Sequence, residues 1–206
     1  MLDASRLARG PRLVPLALAA CLLALPTLRA PAQQADSARA APGPAPEAAP
    51  RPAVKAAPTD VASAEAIVAA VYDAISGPAG GRDWDRFRSL FAPGARLIPS
   101  IPDSTGGARA AVLSVEEYVG LGTTYFKDNG FFEREAAQHT ETFGNIAHRW
   151  SVYESRHAEQ EAEPFQRGIN SIQLLKDGGR WWIVTIFWDN ERPDNTIPAE
   201  YLKGGG

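Results

Sequence analysis

His148 is the side chain in this sequence best suited to general acid–base chemistry. It lies in an apolar, strand-like run with Trp150 and Glu154, and counting by twos places the three side chains on one face of the predicted strand. An imidazole titrates near neutral pH, so His148 is a candidate general base. The structural alternative is a half-exposed strand histidine. No pair of the three histidines has a recognised metal-ligand spacing and the only cysteine is Cys21, so we predict no metal site.

Charged and aromatic side chains form a second group of candidates. Glu154 or Glu163 can form a structural ion pair with Arg156 or Arg167 across the predicted ladder. The functional alternative is an arginine clamp for an anionic ligand. Most tryptophans are expected in the core or in a subunit contact, but Trp84, Trp150 and Trp188 are candidates for lining a pocket that takes a flat apolar molecule.

Composition excludes several classes of function. The chain has 206 residues and a formal net charge of -3, with its lysines and arginines scattered, so nothing in its charge favours nucleic acid. Neither the phosphate-binding pattern G-x-x-x-x-G-K-[ST] nor the hydrolase pattern Gly-x-Ser-x-Gly occurs. We therefore predict no cofactor.

Residues 1–32 have the pattern of an export signal. Three arginines precede an apolar run over residues 13–28 that is short for a membrane span. Ala30-Pro31-Ala32 fits the small-x-small site of ordinary secretion, whereas Leu18-Ala19-Ala20-Cys21 resembles a bacterial lipobox, in which Cys21 carries a lipid. We predict a secreted or periplasmic protein or, alternatively, a lipoprotein whose only membrane contact is the lipid on Cys21.

The next segment and the remainder of the chain differ sharply in composition. Residues 33–58 are rich in alanine and proline and have little large apolar area to bury, which predicts a flexible linker. Residues 59–203 carry the periodic apolar patterns of one folded domain.

Helices are predicted first in this domain, and strands follow. We expect a helix from Thr59 or Asp60, a short helix over residues 83–91, and a third helix opened by the capping box from Ser114 to Glu117. Strands are predicted over residues 95–101, 131–143, 146–157, 165–175 and 181–188. The last two flank Lys176-Asp177-Gly178-Gly179 and are apolar on both faces, so the hairpin should be covered on both sides. Sequential strands and grouped helices predict an α+β fold with an antiparallel sheet.

This order of elements resembles the nuclear-transport-factor-2-like (NTF2-like) superfamily. The resemblance is carried by Leu90-Phe91-Ala92-Pro93-Gly94-Ala95 and by Gly179-Arg180-Trp181-Trp182-Ile183-Val184. Ketosteroid isomerase and the SnoaL-like polyketide cyclases belong to that superfamily. The resemblance implies a curved antiparallel sheet forming a cone, N-terminal helices packed across it over a pocket, and a homodimer through the outer sheet face.

The resemblance also implies roles for particular side chains. Isomerases of the superfamily hold an oxyanion with a helix tyrosine and a protonated acid, and Tyr72 and Asn170 match those two positions. The position of their carboxylate base falls at about Pro99, which cannot accept a proton. The structural alternatives are a core tyrosine at Tyr72 and, at Asn170, a buried amide satisfied by a neighbouring strand.

Three functions are compatible with these residues. The first is a secreted small-molecule-binding module. The second is a divergent enzyme of the isomerase, cyclase or dehydratase type acting on an apolar carbonyl compound, with Tyr72 and Asn170 polarising the carbonyl and His148 as base. The third is a tethered protein-interaction domain. A pocket that brings Tyr72, Asn170 and His148 to one ligand favours the second, and a cone filled by side chains favours the third.

Overall fold

The computed structural model of the chain describes residues 55–203, so the predicted export signal and most of the predicted linker lie outside the described residues. The helices are α1 (Ala64–Ile75), α2 (Trp84–Ser89), α3 (Val115–Phe126) and α4 (Ala199–Leu202). The strands are β1 (Phe91–Pro102), β2 (Ala108–Ala110), β3 (Leu113–Ser114), β4 (Phe132–Phe143), β5 (Ile146–Arg156), β6 (Gln166–Asp177) and β7 (Arg180–Asn190).

The start of α1 differs from the sequence prediction. Pro58–Val61 forms a separate turn of 3-10 helix, and α1 begins after Ser63, whose Oγ accepts a hydrogen bond from the Ala66 amide at 3.0 Å. The predicted N-cap at Thr59 or Asp60 was therefore wrong, because Ser63 satisfies the free amide instead. The predicted apolar stripe is confirmed: Ile67, Val68 and Val71 are all buried.

The predicted starts of the other two helices, α2 and α3, are confirmed. Asp83 caps α2 by accepting from the Arg86 amide at 2.9 Å. At α3 the Ser114 side chain accepts from the Glu117 amide while the Glu117 carboxylate accepts from the Ser114 amide, so the predicted capping box is confirmed. These caps fix where the helices that cover the sheet begin.

The sheet has the strand order β2-β1-β7-β6-β5-β4, and β3 also pairs with β1. Strands β4 to β7 are antiparallel neighbours, but β1 pairs with β7 in parallel, which sequential antiparallel pairing did not predict. Parallel pairing requires a long crossover, and here α3 and the five strands β2 to β6 intervene in the sequence. The register shifts within the pairs β1–β7, β4–β5 and β6–β7, and such bulges increase the twist of a sheet. The α+β fold class is confirmed.

Different elements pack against the two faces of the sheet. The inner face packs against α1 and α3 in the main core, where Ile172 and Ile183 have no exposed area. On the outer face the Tyr201 ring of α4 lies 5.6 Å from that of Trp150, while Phe187 remains 45% exposed. The C-terminal helix thus covers the outer face at β5, while Phe187 on β7, a strand of the predicted two-sided hairpin, stays partly exposed. No helix among residues 55–203 is long and apolar enough to cross a membrane.

Candidate functional site

A cavity of about 50 Å³ lies between the helices and the inner face of the sheet, and we call it the inner cavity. Its walls include apolar side chains such as Val71, Leu97 and Ile172. Polar side chains, among them Tyr72 and Asn170, also reach it. A few polar groups converging within apolar walls is the usual composition of a small-molecule site.

The Tyr72 hydroxyl is the centre of a hydrogen-bonded network at this cavity. Asn170 donates to it from Nδ2 at 2.9 Å, and the Ser151 Oγ lies 2.6 Å away. Ser151 and Asn170 are direct register partners on β5 and β6, so both side chains project from the same face of the sheet toward α1. The structure thus brings together the two residues that the resemblance implied, and adds Ser151.

The network leaves one hydrogen bond available to a ligand. The Asn170 amide can only donate here, so the Tyr72 oxygen accepts from it. The bond between Tyr72 and Ser151 works in either direction, and when Ser151 donates, the Tyr72 hydrogen is free to point into the inner cavity. Burial raises the pKa of Tyr72, so the phenol stays protonated and remains a donor.

Glu133 is an acidic residue of this site that the sequence analysis missed. It lies on β4 opposite Ser155, whose Oγ donates to the Glu133 Oε2 at 2.7 Å. The residue as a whole is only partly buried, but desolvation of its carboxyl group raises the pKa of Glu133 to about 7. A signal was available, because counting by twos from the buried Phe131 places this carboxylate on the covered face.

Glu133 and Tyr72 also border a second, wider depression between α1, β4 and the loop after β5. This cleft has a volume of about 910 Å³ and is open to solvent. We call it the acidic cleft, since its lining includes Asp73, Glu133, Glu135, Glu159 and Glu161. Tyr72 and Glu133 therefore border both the inner cavity and the acidic cleft.

His148 does not reach the inner cavity. Its Nε2 lies 3.0 Å from the Ser171 Oγ, and its ring is 4.9 Å from that of Trp150. Ser151 projects to the inner face from the same strand, so His148, three residues earlier, projects to the outer face. The structure therefore does not bring His148 to the cavity shared by Tyr72 and Asn170, which was the arrangement that would favour the enzyme with His148 as base. The periodicity gave the faces of β5 but not which one is covered by α1.

Glu154 and Arg167 are direct partners on β5 and β6, but away from the inner cavity. Glu154 binds Arg134 at 2.9 Å and Arg156 at 3.0 Å, and Arg167 binds Glu191 at 3.2 Å. These side chains form the structural ion-pair network that was the alternative to an anion clamp.

The three candidate tryptophans lie in three different surroundings. Trp84 packs on Phe87 and Phe126 with ring centroids 5.6 and 5.9 Å away, so it belongs to the packing between helices. Trp150 borders a groove of about 350 Å³ on the outer face. Trp188 lines the inner cavity. Of the predicted ligand-binding residues, Tyr72, Asn170 and Trp188 therefore share one site. Within residues 55–203 no group of His, Cys, Asp and Glu side chains is placed to hold a metal ion.

No family model and no curated protein matches the chain. Among solved structures, an NTF2-like protein of unknown function from Pseudomonas putida KT2440 matches at 11% identity over 65% of this chain and 89% of its own, with a TM-score of 0.48. A protein of unknown function with a cystatin-like fold from Nostoc punctiforme matches at 12% identity over 62% and 87%, also with a TM-score of 0.48. An NTF2-like protein of unknown function from Silicibacter pomeroyi matches at 16% identity over 62% and 92%, with a TM-score of 0.43.

Similarities at this level carry no argument about a ligand or a reaction. The architecture itself consists of N-terminal helices packed across a mostly antiparallel sheet, as the sequence resemblance implied.

Proposed function

We propose that the domain binds a small molecule at the inner cavity, through a hydrogen bond from the Tyr72 hydroxyl to an oxygen or nitrogen of the ligand. The observation that carries the proposal is the convergence of Ser151 and Asn170 on that hydroxyl from two strands. Burying three polar side chains lowers stability unless each one is hydrogen-bonded. Here each makes at least one hydrogen bond, and when Ser151 donates, the Tyr72 hydroxyl hydrogen remains free for a ligand. A core tyrosine needs only one such partner.

The size of the inner cavity limits what it holds. At about 50 Å³ it takes a small head group, and a larger ligand would extend into the acidic cleft, which Tyr72 and Glu133 also border. The same small volume is the observation that favours the alternative of a tethered protein-interaction domain, because a cone largely filled by side chains needs no ligand.

A second candidate function is proton transfer on a carbonyl compound, of the isomerase or dehydratase type. The specific observation in its favour is Glu133, a carboxyl group on the cavity wall whose pKa is raised to about 7. In this alternative Tyr72 binds the carbonyl oxygen and Glu133, rather than His148, accepts the proton. Incubating simple ketones with the protein in deuterated water tests it, since turnover exchanges the α-protons and Glu133→Gln should abolish the exchange.

Native mass spectrometry of the protein recovered from its own host tests the binding proposal. A small mass bound to the folded wild type, lost on denaturation and absent from Tyr72→Phe prepared in the same way, is the result we expect. Ligand-free wild-type protein, together with equal binding of added small molecules by wild type and Tyr72→Phe, would contradict it and leave the interaction domain.

Export and dimerisation are part of the proposal. The pattern of residues 1–32 supports secretion or periplasmic location, and membrane retention lost in Cys21→Ser would identify the lipoprotein alternative. The exposed side chains of Val184 and Phe187 on β7 support a homodimer through the outer sheet face. Light scattering of wild type and of Phe187→Glu measures whether that contact exists.

A further inference from the structure

We infer that the ligand of the inner cavity carries a protonated amine and that the Glu133 carboxylate binds it. The inference rests on the proposed function, because it assigns a chemical class to the ligand of that same site. Three features of the site support it: the absence of a cationic partner of Glu133 among residues 55–203, the aromatic walls, and the charge of the adjoining cleft.

Glu133 has no cationic partner within the described part of the chain. Its one hydrogen-bond donor is the neutral Ser155 hydroxyl, and none of the ion pairs of residues 55–203 includes it. Its neighbour Glu135 shows the usual arrangement, since Arg149 binds it through Nε at 2.9 Å and Nη2 at 2.5 Å. Carboxylates removed from water are normally paired with a cation in this way. Because no cationic side chain of the described residues pairs with Glu133, a cationic ligand can bind there.

Aromatic rings surround the same cavity. A ring face attracts a cation through its quadrupole, and this attraction grows when water is excluded. The rings lining the cavity belong to Tyr72, Phe87, Tyr118, Phe131, Tyr153 and Trp188. A carboxylate combined with aromatic rings can bind an organic ammonium group. A neutral apolar ligand would need the aromatic rings but not the carboxylate.

The acidic cleft leads to Glu133 and has the charge to concentrate cations. Its lining holds five carboxylates and two guanidinium groups, those of Arg134 and Arg156, and both of these bind Glu154. Glu159 and Glu161 take part in none of the ion pairs of the described residues. A depression lined mainly by one sign of charge raises the local concentration of the opposite charge, so an ammonium head can enter while the body of the ligand stays in the cleft.

Binding of an ammonium group requires Glu133 to be ionised, so the affinity should depend on pH. The other titratable groups around the carboxyl group are Tyr72 of α1, Tyr118 of α3 and Tyr153 of β5, and burial raises the pKa of each. Of the charged groups in the cleft, Asp73 is bound by Arg86 and Glu135 by Arg149. Because the pKa of Glu133 is raised to about 7, affinity for an amine should increase as the pH rises from 5.5 to 8.

The test compares n-butylammonium with n-butanol, which has the same chain length and a neutral head group. Isothermal titration calorimetry at pH 8 is run on the full chain and on Glu133→Gln, with Glu141→Gln as the control, because Glu141 is an exposed carboxylate on the same strand. We expect wild type to bind butylammonium about tenfold or more tightly than butanol, from a charge-assisted hydrogen bond. Glu133→Gln should remove that preference, and Glu141→Gln should keep it.

Carbon-13 NMR of the glutamate carboxyl groups in the wild type provides a measurement that does not depend on a variant folding. Saturating butylammonium should lower the pKa of Glu133, whereas butanol should not. Butanol binding as tightly as butylammonium, or a Glu133 pKa that butylammonium leaves unchanged, would overturn the inference. If Tyr72→Phe still weakened butanol binding in that case, the proposed function would survive and only the amine would be wrong.

Discussion

The Nδ2 of Asn170 lies 2.9 Å from the Tyr72 hydroxyl, and this hydrogen bond joins β6 to α1 across 98 positions of sequence. With the Ser151 hydroxyl on the other side, it fixes the phenol at the boundary of the inner cavity. The same three side chains therefore serve stability and the proposed binding site, and a single substitution should affect both.

Tyr72→Phe should lower the free energy of unfolding by about 1–2 kcal/mol, because Asn170 and Ser151 would both lose a buried partner. Urea denaturation of both proteins measures the difference. The matched control is Tyr201→Phe, whose ring packs on Trp150 on the outer face, and there we expect a change below about 0.5 kcal/mol. Equal effects of the two substitutions would mean that the network adds nothing to stability.

Glu133→Gln should change how stability depends on pH. The pKa of Glu133 is raised from 4.5 to about 7 in the folded chain, so between these values the folded state holds more protons than the unfolded state. The free energy of unfolding contributed by this group is therefore present below pH 4.5 and is lost as the pH rises through about 7.

The variant should accordingly be more stable than wild type by about 1–2 kcal/mol above neutral pH and should show a flatter pH profile. Urea denaturation from pH 4.5 to 8.5 measures this, with Glu141→Gln as an exposed control that should follow the wild-type profile. Parallel profiles for wild type and Glu133→Gln would show that Glu133 titrates normally.

Arg149→Met should be strongly destabilising, by about 3 kcal/mol. Arg149 is 3% exposed, binds Glu135 with two nitrogens and donates to the Thr140 hydroxyl at 2.9 Å, so its loss leaves a carboxylate without a counter-charge. Arg134→Met is the control, because Arg134 is largely exposed and should contribute less than about 1 kcal/mol. Adding Glu135→Gln to Arg149→Met should restore part of the lost stability, measured as the temperature of thermal unfolding. A double variant no more stable than Arg149→Met would contradict the assignment of this loss to charge pairing.

Gly168→Ala should destabilise the sheet beside the inner cavity. A Cβ at this position would collide with the Asp189 carbonyl oxygen and the Tyr153 hydroxyl, which donates to the Asn190 Oδ1 at 2.6 Å. We expect a loss of about 1–3 kcal/mol. Gly120→Ala is the matched control, since nothing lies within 4 Å of a Cβ there and alanine favours the helix α3, so it should raise the unfolding temperature. If Gly168→Ala left the free energy of unfolding unchanged, the neighbouring strands must move apart to fit the added Cβ without loss of stability.

Local chemistry made the helices and hairpins predictable. The capping box at Ser114 and the Gly178-Gly179 turn depend on residues close in sequence, and both lie where the sequence predicted. The juxtaposition of Tyr72 and Asn170 followed from the family resemblance rather than from any pattern in the chain. Long-range pairing had no local signal, which is why the parallel contact between β1 and β7 was missed.

The candidate base was misplaced for a related reason. Period-two counting correctly placed His148 and Trp150 on one face of β5, but the face covered by α1 depends on tertiary packing. Glu133 was overlooked because a carboxylate in a strand usually points to solvent, and only its neighbours in the folded chain reveal the desolvation. The family resemblance therefore pointed to Tyr72 and Asn170, but neither Ser151 nor Glu133 was predicted.

The pairing of the first long strand with the last one has a consequence for how the chain folds. During synthesis β1 emerges early, yet its partner β7 is complete only when Asn190 has been made. Until then the helices have an incomplete sheet to cover, and the loop that must close spans most of the domain. A chain ended before Arg180 should therefore stay open and prone to aggregate, whereas one ended after Asn190 has every strand it needs.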